Sequence, residues 1–533
     1  MASPVIRSGR VGQTKSRTGC DTCKSRRVRC GEEKPHCLKC TSTGRKCSYT
    51  SKLSPQRHGP PGSPPCQLTL FSHQGWRERR AFEFYFHQAG PALSGVLDVA
   101  FWRGSVLQIC RMEPAIWDAI IALSSLYERP PIHDASPFRL INNPAEVEHS
   151  YHREALVWYS RSLAAVQRRI DQGVADLTVA LISCILFIAI ELLQGNRPAA
   201  LDLTRQGMQM IVTAMTYTRS SSKNRGSINR AMLTSVIKPI FQRLDTWALI
   251  TSGTSSNFNW QFEYLNSNAQ LTSHDEARNV LSGIVAEMKI FNIDTKRHWT
   301  LSAGTRLRDI QALWTKQGKL KDALDQWYRS FTSLVASDQD PSGTGGASLL
   351  LMTYFSVLIE IQTCLDPDQS SYDNFEAEFT QIINHASEAI SATRNPEGHQ
   401  PAFTFEMGVF LPLFITALKC RFPRLRRQAL SLLNEAPPAQ GLFMCRPAAH
   451  AVAVLVVLEE DPSMANDVLG VSEVLIRPGC IPPVRNRIWE FNISSNVDLR
   501  GRTQNWLHYS LRDFDQDEIR FSQNAMLFPG AQP

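Results

Sequence analysis

The pattern of apolar and polar residues changes at about Trp76, and from there apolar side chains recur at helical spacing. The segment from Pro114 to Glu128 has proline in its first turn, followed by apolar residues on one face at Ile116, Ile120, Leu123 and Tyr127. The segment from Val174 to Leu193 is apolar nearly all round, which is typical of a helix buried on every side. These patterns predict a large helical body.

Other segments of this body carry the same helical pattern. A helix from Trp76 to Gln88 is expected to stop at Gly90-Pro91. Segments rich in Gly, Ser, Pro and Asn separate the remaining helices, which are predicted at about 151–170, 198–216, 228–250, 273–290, 318–336, 346–365, 372–393, 404–420, 423–434 and 447–459. Alternating strand patterns are nearly absent, so the body is predicted to be all-helical. The sequence has no fixed repeat period, which argues against a regular solenoid.

The stretch before this body reads as a linker. Residues 51–65 contain five prolines and two glycines, which exclude a helix and leave no heptad pattern for a coiled coil. A homodimer, if formed, is therefore expected to pair through the helical body. The predicted domains are a disordered basic arm at 1–19, a cysteine-rich domain at 20–47, a proline-rich linker at 48–75 and the helical domain at 76–533.

The positive charge of the chain is concentrated at its N-terminal end. Residues 1–50 carry 12 Lys and Arg against 3 Asp and Glu, while the remainder carries 45 against 46. A small basic domain beside a nearly neutral body is typical of nucleic-acid binding. The basic cluster also suggests nuclear import, so the predicted location is the nucleus.

Six cysteines lie within residues 20–47, with the spacing C-x2-C-x6-C-x6-C-x2-C-x6-C. The half-pattern C-x2-C-x6-C therefore occurs twice. Three disulfides would require an oxidising compartment, and the N-terminus lacks the apolar segment of a secretory signal. Zinc is the better interpretation, because it takes four thiolate ligands in a tetrahedron.

Two zinc ions need eight ligand positions, which six cysteines supply only if two of them bind both ions. Cys20 and Cys37 hold equivalent places in the two half-patterns and are the predicted bridging ligands. The other predicted ligands each bind one ion, and they are Cys23, Cys30, Cys40 and Cys47. One zinc ion with two spare thiols is the alternative, but it leaves the second copy of the spacing unexplained.

Residues 20–47 resemble the fungal zinc binuclear cluster (Zn2Cys6) DNA-binding domain. The resemblance rests on all six cysteines, on the basic run between the second and third of them, and on Pro35 in the loop before the fourth. It implies two zinc ions per chain, bridged by the first and fourth cysteines, and binding to double-stranded DNA. It also suggests a cis bond between Lys34 and Pro35.

The basic run supplies candidate DNA contacts. By the resemblance, Arg26 and Arg27 occupy the two positions that read a CGG triplet, where the family often has lysine. Arginine suits this role because it binds O6 and N7 of guanine with two hydrogen bonds. The other basic residues are expected to bind phosphates and set the register, and they are Lys24, Arg29, Lys39, Arg45 and Lys46.

Two stretches of the helical body, Cys184 to Asn196 and Phe403 to Leu433, resemble the fungal-specific transcription factor regulatory domain. Together the resemblances imply a transcription factor of the RNA polymerase II type that regulates a metabolic or secondary-metabolite gene set. The implied partners are the transcription machinery or co-regulators. A zinc-cluster adaptor that binds protein or RNA is the alternative.

Other features exclude function classes. No nucleophile and base occur in a catalytic pattern, so we predict no enzyme; an enzyme with a zinc-binding appendage is the competing hypothesis. The most apolar run, Thr178 to Ile190, is shorter than the roughly 20 residues of a membrane span, so no membrane partner is expected. Asp513 to Phe521 mixes acidic and aromatic residues, which favours a surface strip over an activation segment.

Overall fold

The computed structural model consists of two units, Met1–His73 and Gln74–Pro533. The structure describes residues 18–49, 75–130, 150–173, 176–220, 230–252, 270–299, 303–337, 344–366, 369–464, 481–497, 503–513 and 518–526. Most of the predicted basic arm and most of the predicted linker lie outside these ranges.

The described residues of the first unit, 18–49, contain two helices of about one turn each. Helix α1 spans Asp21–Ser25 and helix α2 spans Leu38–Thr41. Each begins directly after a cysteine in extended conformation, Cys20 or Cys37, so the two half-patterns of the sequence fold alike.

The second unit is mainly helical, as predicted. Its N-terminal helices are α3 (Trp76–Phe84), α4 (Gly90–Ser94), α5 (Val106–Ile109), α6 (Pro114–Glu128), α7 (Ser150–Asp171), α8 (Leu177–Leu193) and α9 (Arg197–Ser220). Its later helices are α10 (Arg230–Met232), α11 (Lys238–Ser252), α12 (His274–Trp299), α13 (Ala303–Ser337), α14 (Thr344–Thr363), α15 (Glu376–Ala392), α16 (Phe410–Lys419), α17 (Pro423–Glu435) and α18 (Cys445–Glu460).

The predicted stop at Gly90-Pro91 is wrong. The π-helical turn Tyr85–Ala89 lies between α3 and α4, and the Gly90 N–H donates to the Tyr85 carbonyl five residues back. This wider turn lets the helical path pass Pro91, which has no N–H to give and would obstruct a regular helix. The path instead ends at Gly95, whose positive φ of 52° breaks the helix.

The predicted helix at 404–420 is also partly wrong, since its first residues pair as a strand. Strands β1 (Phe403–Thr404), β2 (Ala439–Gln440) and β3 (Phe443–Met444) form a small sheet in that order. The β1–β2 pairing is parallel and the β2–β3 pairing is antiparallel. This sheet ties the start of α16 to the start of α18.

A second, antiparallel sheet was not predicted from the sequence. It consists of β4 (Ile488–Val497), β5 (Thr503–Asp513) and β6 (Glu518–Met526). Its buried or half-buried apolar residues do alternate along the strands, at Phe491, Ile493, Leu507, Tyr509 and Leu511. The predicted surface strip at Asp513–Phe521 falls across the end of β5 and the first part of β6.

The core of the second unit is built from helices buried on most faces. Helix α8 buries most of its residues, as its all-round apolar pattern predicts, and the Asp176 carboxylate caps it by accepting the Thr178 N–H at 2.7 Å. One described helix, with an apolar window at Gly345–Thr363, has the length and composition of a membrane span, and 78% of that window is buried inside the protein. Burial at this level is typical of a core helix.

The second unit also buries charge. Glu459 on α18 contacts Arg421 and Arg426, and all three side chains are fully buried. Elsewhere Asp98 accepts hydrogen bonds from Arg243 on α11 and Arg278 on α12. Both clusters join segments that are distant in sequence, so they fix the packing of the helices around them.

Candidate zinc centre and nucleic-acid interface

The six cysteines of the first unit lie together in one buried cluster, with Cys47 half-buried. Four sulfurs, those of Cys20, Cys23, Cys30 and Cys37, all lie within 4.8 Å of one another. A second set within the same limit comprises Cys20, Cys37, Cys40 and Cys47. Cys20 and Cys37 belong to both sets, which is the sharing that the ligand count predicts.

The sulfur spacing suits zinc. A tetrahedron with zinc–sulfur bonds of about 2.3 Å has edges of about 3.8 Å. The Sγ atom of Cys20 lies 3.7 Å from those of Cys37 and Cys40, and the Sγ atoms of Cys23 and Cys37 are 3.6 Å apart. These three separations therefore match the edge of a zinc–sulfur tetrahedron.

Backbone N–H groups stabilise the sulfurs as thiolates, and they do so alike in the two halves. The Cys20 N–H donates to Cys30 Sγ at 3.4 Å, and the Cys37 N–H donates to Cys47 Sγ at the same distance. Burial raises the pKa of Cys30, but donation from the N–H groups of Cys20 and Glu32 outweighs it, so the pKa is lowered.

The thiols of Cys23 and Cys40 show why a cation is needed. Burial, followed by the neighbouring sulfurs of Cys20 and Cys37, raises the pKa of Cys23, and burial likewise raises that of Cys40 to about 12. So many negative charges cannot be packed together without positive charge between them. Two divalent ions supply that charge, and this donor set fits them.

The two halves are held together by contacts that sequence reasoning missed. The Thr22 hydroxyl donates to the Lys46 carbonyl at 2.9 Å, and the Asp21 N–H donates to the Ser48 carbonyl at 2.8 Å. The Tyr49 hydroxyl lies 3.6 Å from Cys30 Sγ and donates to the Glu33 carbonyl at 3.0 Å. Tyr49, just outside the predicted domain, gave no signal in the cysteine spacing. The loop between the halves contains a cis Lys34–Pro35 bond.

Most of the predicted DNA contacts are exposed on this frame, and they are Lys24, Arg27, Arg29, Lys39, Arg45 and Lys46. Arg26 differs, because it is half-buried and its Nη1 donates to Thr43 Oγ1 at 3.2 Å and to the Lys39 carbonyl at 3.5 Å. One of the two predicted base-reading residues thus joins the halves of the cluster.

Arg27 has a backbone conformation that is uncommon for its residue type. Its φ is +56°, in the left-handed region that costs a residue with a Cβ atom roughly 1–2 kcal/mol. The equivalent residue of the second half, the fourth after Cys40, is Gly44 at φ +63°. Both positions end a short helix, since the following N–H donates back to the second cysteine of each half. The fold therefore needs a left-handed residue here, and only the first half places a cation on it.

Comparison with known proteins agrees with this geometry. Residues 18–56 match the fungal Zn(2)-Cys(6) binuclear cluster domain, which binds two zinc ions. That domain is not an enzyme, which bears out the prediction that the chain is not one. The match covers the cluster and the residues beside it.

Three curated relatives are informative. The aspercryptin biosynthesis cluster-specific transcription regulator of Emericella nidulans is 23% identical over 357 residues, which cover 61% of this chain and 55% of that protein. A transcription factor of Flammulina velutipes is 43% identical over 47 residues, 9% of this chain and 17% of its own length. Sterol uptake control protein 2 of Saccharomyces cerevisiae is 58% identical over 36 residues, 7% of this chain and 4% of its own.

The chain thus spans about half the length of the first of these relatives and much less of the others. No solved structure matches the chain.

Proposed function

We propose that this protein is a zinc-dependent, sequence-specific DNA-binding transcription factor that acts in the nucleus on genes transcribed by RNA polymerase II. The observation that carries the proposal is the exposed Arg27 on a frame whose sulfurs suit two zinc ions. The matched domain and the relatives named as transcription regulators support it.

We assign the zinc ligands as follows. Cys20 and Cys37 bind both ions. One ion is completed by Cys23 and Cys30, and the other by Cys40 and Cys47. When bound, the metal supplies the positive charge that the buried thiolates lack. The chain itself supplies the N–H donors and the rigid placement of α1.

Arg27 and Arg26 read a CGG triplet in this proposal, with unequal roles. Arg27 is exposed at the end of α1, where its guanidinium is available to O6 and N7 of a guanine. Arg26 Nη1 donates to Thr43 Oγ1 and to the Lys39 carbonyl, which fixes the position of the guanidinium group. The other N–H donors of Arg26 bind DNA from this fixed position. Phosphate binding falls to the exposed residues Lys24, Arg29, Lys39, Arg45 and Lys46.

Arg27→Ala is expected to weaken binding to a CGG duplex by about 1–3 kcal/mol and to relax the preference at one base position. The reason is that alanine keeps the backbone but removes both hydrogen bonds to guanine. Fluorescence anisotropy with CGG and scrambled duplexes at one salt concentration measures both effects.

Two variants act as controls for Arg27. Lys46→Ala removes a phosphate contact, so it is expected to weaken CGG and scrambled duplexes alike. Arg27→Gly removes the same side chain but adopts the left-handed conformation without penalty, so it should lose the CGG preference while folding at least as well as the wild type. Equal losses on both duplexes for Arg27→Ala would contradict the assignment of Arg27.

The helical unit is proposed to be a fungal-specific regulatory domain that contacts the transcription machinery or co-regulators. The alignment with the Emericella nidulans regulator covers more of the chain than the zinc cluster alone and supports this role. By analogy with that relative's name, the genes regulated are metabolic, including a set for a secondary metabolite. Homodimers, where they form, pair through this unit.

Selection of binding sites from random duplex DNA tests the function as a whole. Enrichment of a CGG triplet is the expected result, with a lone triplet indicating a monomer and a spaced pair indicating a dimer. Enrichment of no duplex sequence, together with binding to RNA or protein, would overturn the proposal in favour of an adaptor.

A further inference from the structure

A cleft of about 770 Å³ lies within the helical unit, between the C-terminal parts of α11, α12, α14 and α16 and the strands β4 and β5. This volume falls in the range of small-molecule binding sites. No residue of the cleft belongs to the zinc cluster, so the DNA-binding function leaves it without a role.

The cleft has an aromatic wall. Trp299, Tyr372, Phe414, Trp489 and Phe491 all line it. Aromatic side chains offer flat apolar surfaces that favour stacking with a planar ring system. The wall therefore suits a ligand with a planar, apolar body.

The charges that line the cleft are unevenly paired. Lys289 Nζ lies 2.6 Å from Glu360 Oε2, and Lys296 Nζ lies 2.6 Å from Glu490 Oε1. The side chains of Lys296 and Glu490 are about half exposed, which places this ion pair on the solvent side. Two of the lysines are thus already neutralised by a carboxylate.

Lys419, at the end of α16, has no such partner in the described part of the chain. Its Nζ donates to Gln369 Oε1 at 2.9 Å, to the Trp489 carbonyl at 3.1 Å and to the Ile488 carbonyl at 3.4 Å. All three acceptors are neutral oxygens. The ammonium group is therefore hydrogen-bonded but makes no direct ion pair with a carboxylate in the described residues.

A second cation, Arg421, lies close to the same acceptor, and its own charge is paired with Glu459. Arg421 Nη2 also donates to Gln369 Oε1, at 3.2 Å. Gln369 has a positive φ of 57°, and such strained backbone conformations cluster at ligand sites. Burial, followed by the charge of Arg421, lowers the pKa of Lys419 to about 7, against the attraction of Glu459 and Glu490. An anion in the cleft would add the direct ion pair that Lys419 lacks.

We propose that this cleft binds a small aromatic anion, such as an aryl carboxylate or sulfonate, with its acidic group on Lys419 and its ring against Trp489 and the neighbouring aromatic side chains. The site is independent of the DNA-binding function proposed above, because none of its residues lies within residues 18–49.

Two fluorescent probes of nearly the same shape test this proposal on the full, zinc-loaded chain. The anion 1-anilinonaphthalene-8-sulfonate is compared with neutral N-phenyl-1-naphthylamine by titration. The wild type is expected to bind the anion saturably and more tightly than the neutral probe. Lys419→Met should weaken the anion about ten-fold or more and change the neutral probe little, since only the anion loses a charged hydrogen bond.

Matched variants locate the effect. Lys316→Met removes a lysine that pairs with Asp294 and is not among the residues lining the cleft, so it should leave the affinity of the anion nearly unchanged. Ile250→Trp places a larger side chain in the cleft wall and should weaken both probes. Lys419→Arg keeps the positive charge and should retain binding of the anion. Circular dichroism confirms that each variant is folded, and Lys419→Gln replaces Lys419→Met if the latter is not.

Three results would overturn the proposal. One is wild-type protein that binds neither probe. Another is Lys419→Met protein with wild-type affinity for the sulfonate. The third is an equal loss of both probes in that variant, which would indicate a general change in packing and no site for the anion.

Discussion

Removal of zinc is expected to unfold residues 18–49 and abolish DNA binding, while the helical unit keeps its own unfolding transition. The reason lies in what the first unit buries: its core consists of the cysteines, with Tyr49 packed beside them, and contains no fully buried aliphatic or aromatic side chain in the described residues. Structural zinc contributes roughly 10–16 kcal/mol of apparent folding free energy in small zinc-binding peptides. No other interaction among the described residues of this unit approaches that magnitude.

Hydrogen exchange followed by mass spectrometry measures this directly. Addition of a chelator should remove the protection of amides in residues 18–49 and leave α8 and α14 protected. Anisotropy of a CGG duplex should fall to the value of free DNA, and added zinc should restore it. A first unit that stays protected without metal would contradict the prediction.

Single cysteine variants separate bridging from terminal ligands. Cys20→Ala removes a ligand that belongs to both sulfur sets, whereas Cys47→Ala removes one that belongs to a single set. Metal analysis should therefore find nearly no zinc in the Cys20 variant and about one ion in the Cys47 variant. Equal zinc contents in the two variants would show that the bridging assignment is wrong.

The zinc centre could be predicted from sequence because the type and spacing of its residues are enough to identify the metal ligands. The repeated half-pattern, together with the four-ligand preference of zinc, leads to Cys20 and Cys37 as the shared residues, and the structure has their sulfurs in both four-sulfur sets. The internal engagement of Arg26 could not be predicted, since its partner Thr43 lies in the other half and carries no motif.

Prediction of the helical unit from its sequence was limited for a different reason. Periodicity locates α8 and α18 well, because one turn of a helix needs only local residues. The sheet of β4, β5 and β6 depends on pairing between strands, and its first strand has a register shift between Ile488 and Glu490 that interrupts the alternation. The π-helical turn before Pro91 could not be predicted from the sequence either, because it depends on how the preceding helix packs.

Buried charge was the feature of the helical unit least visible in the sequence. Arg421, Arg426 and Glu459 look like ordinary surface residues of helices or loops, yet all three side chains have no solvent exposure. Sequence patterns assign charged residues to the surface by default. Only the packing of α17 and α18 shows that these three form a buried group.

Glu459→Ala is expected to destabilise the helical unit by about 3–5 kcal/mol, since it leaves two buried guanidinium groups without their common anion. Glu459 Oε1 lies 3.0 Å from Arg421 Nη2, and Glu459 Oε2 lies 2.6 Å from Arg426 Nη2. The same carboxylate accepts the Ile488 N–H at 2.8 Å, so it joins α18 to the first residue of β4. Chemical denaturation of the full chain measures the change as a lower midpoint for the helical unit.

Glu435, at the end of α17, provides the control. Its carboxylate lies 3.6 Å from Arg394 Nη2, and the side chains are 50% and 42% exposed, so water can solvate Arg394 after Glu435→Ala. The loss there should be about 1 kcal/mol. Equal destabilisation by the two variants would show that burial of Glu459 does not increase its contribution to the free energy of unfolding.

The stability that Glu459 contributes should also depend on pH in one direction. Burial acts to raise its pKa, but Arg421 and Arg426 outweigh this, so the pKa of the folded state lies below the unfolded value of about 4.3. A depressed pKa gives stability that is complete above the unfolded value and is lost as pH falls through the folded one. Glu459→Gln cannot titrate, so the gap in unfolding free energy between wild type and Glu459→Gln should narrow as pH falls below about 4.3. A gap that stays constant from neutral pH down to pH values well below this would show that the pKa of Glu459 is not lowered in the folded protein.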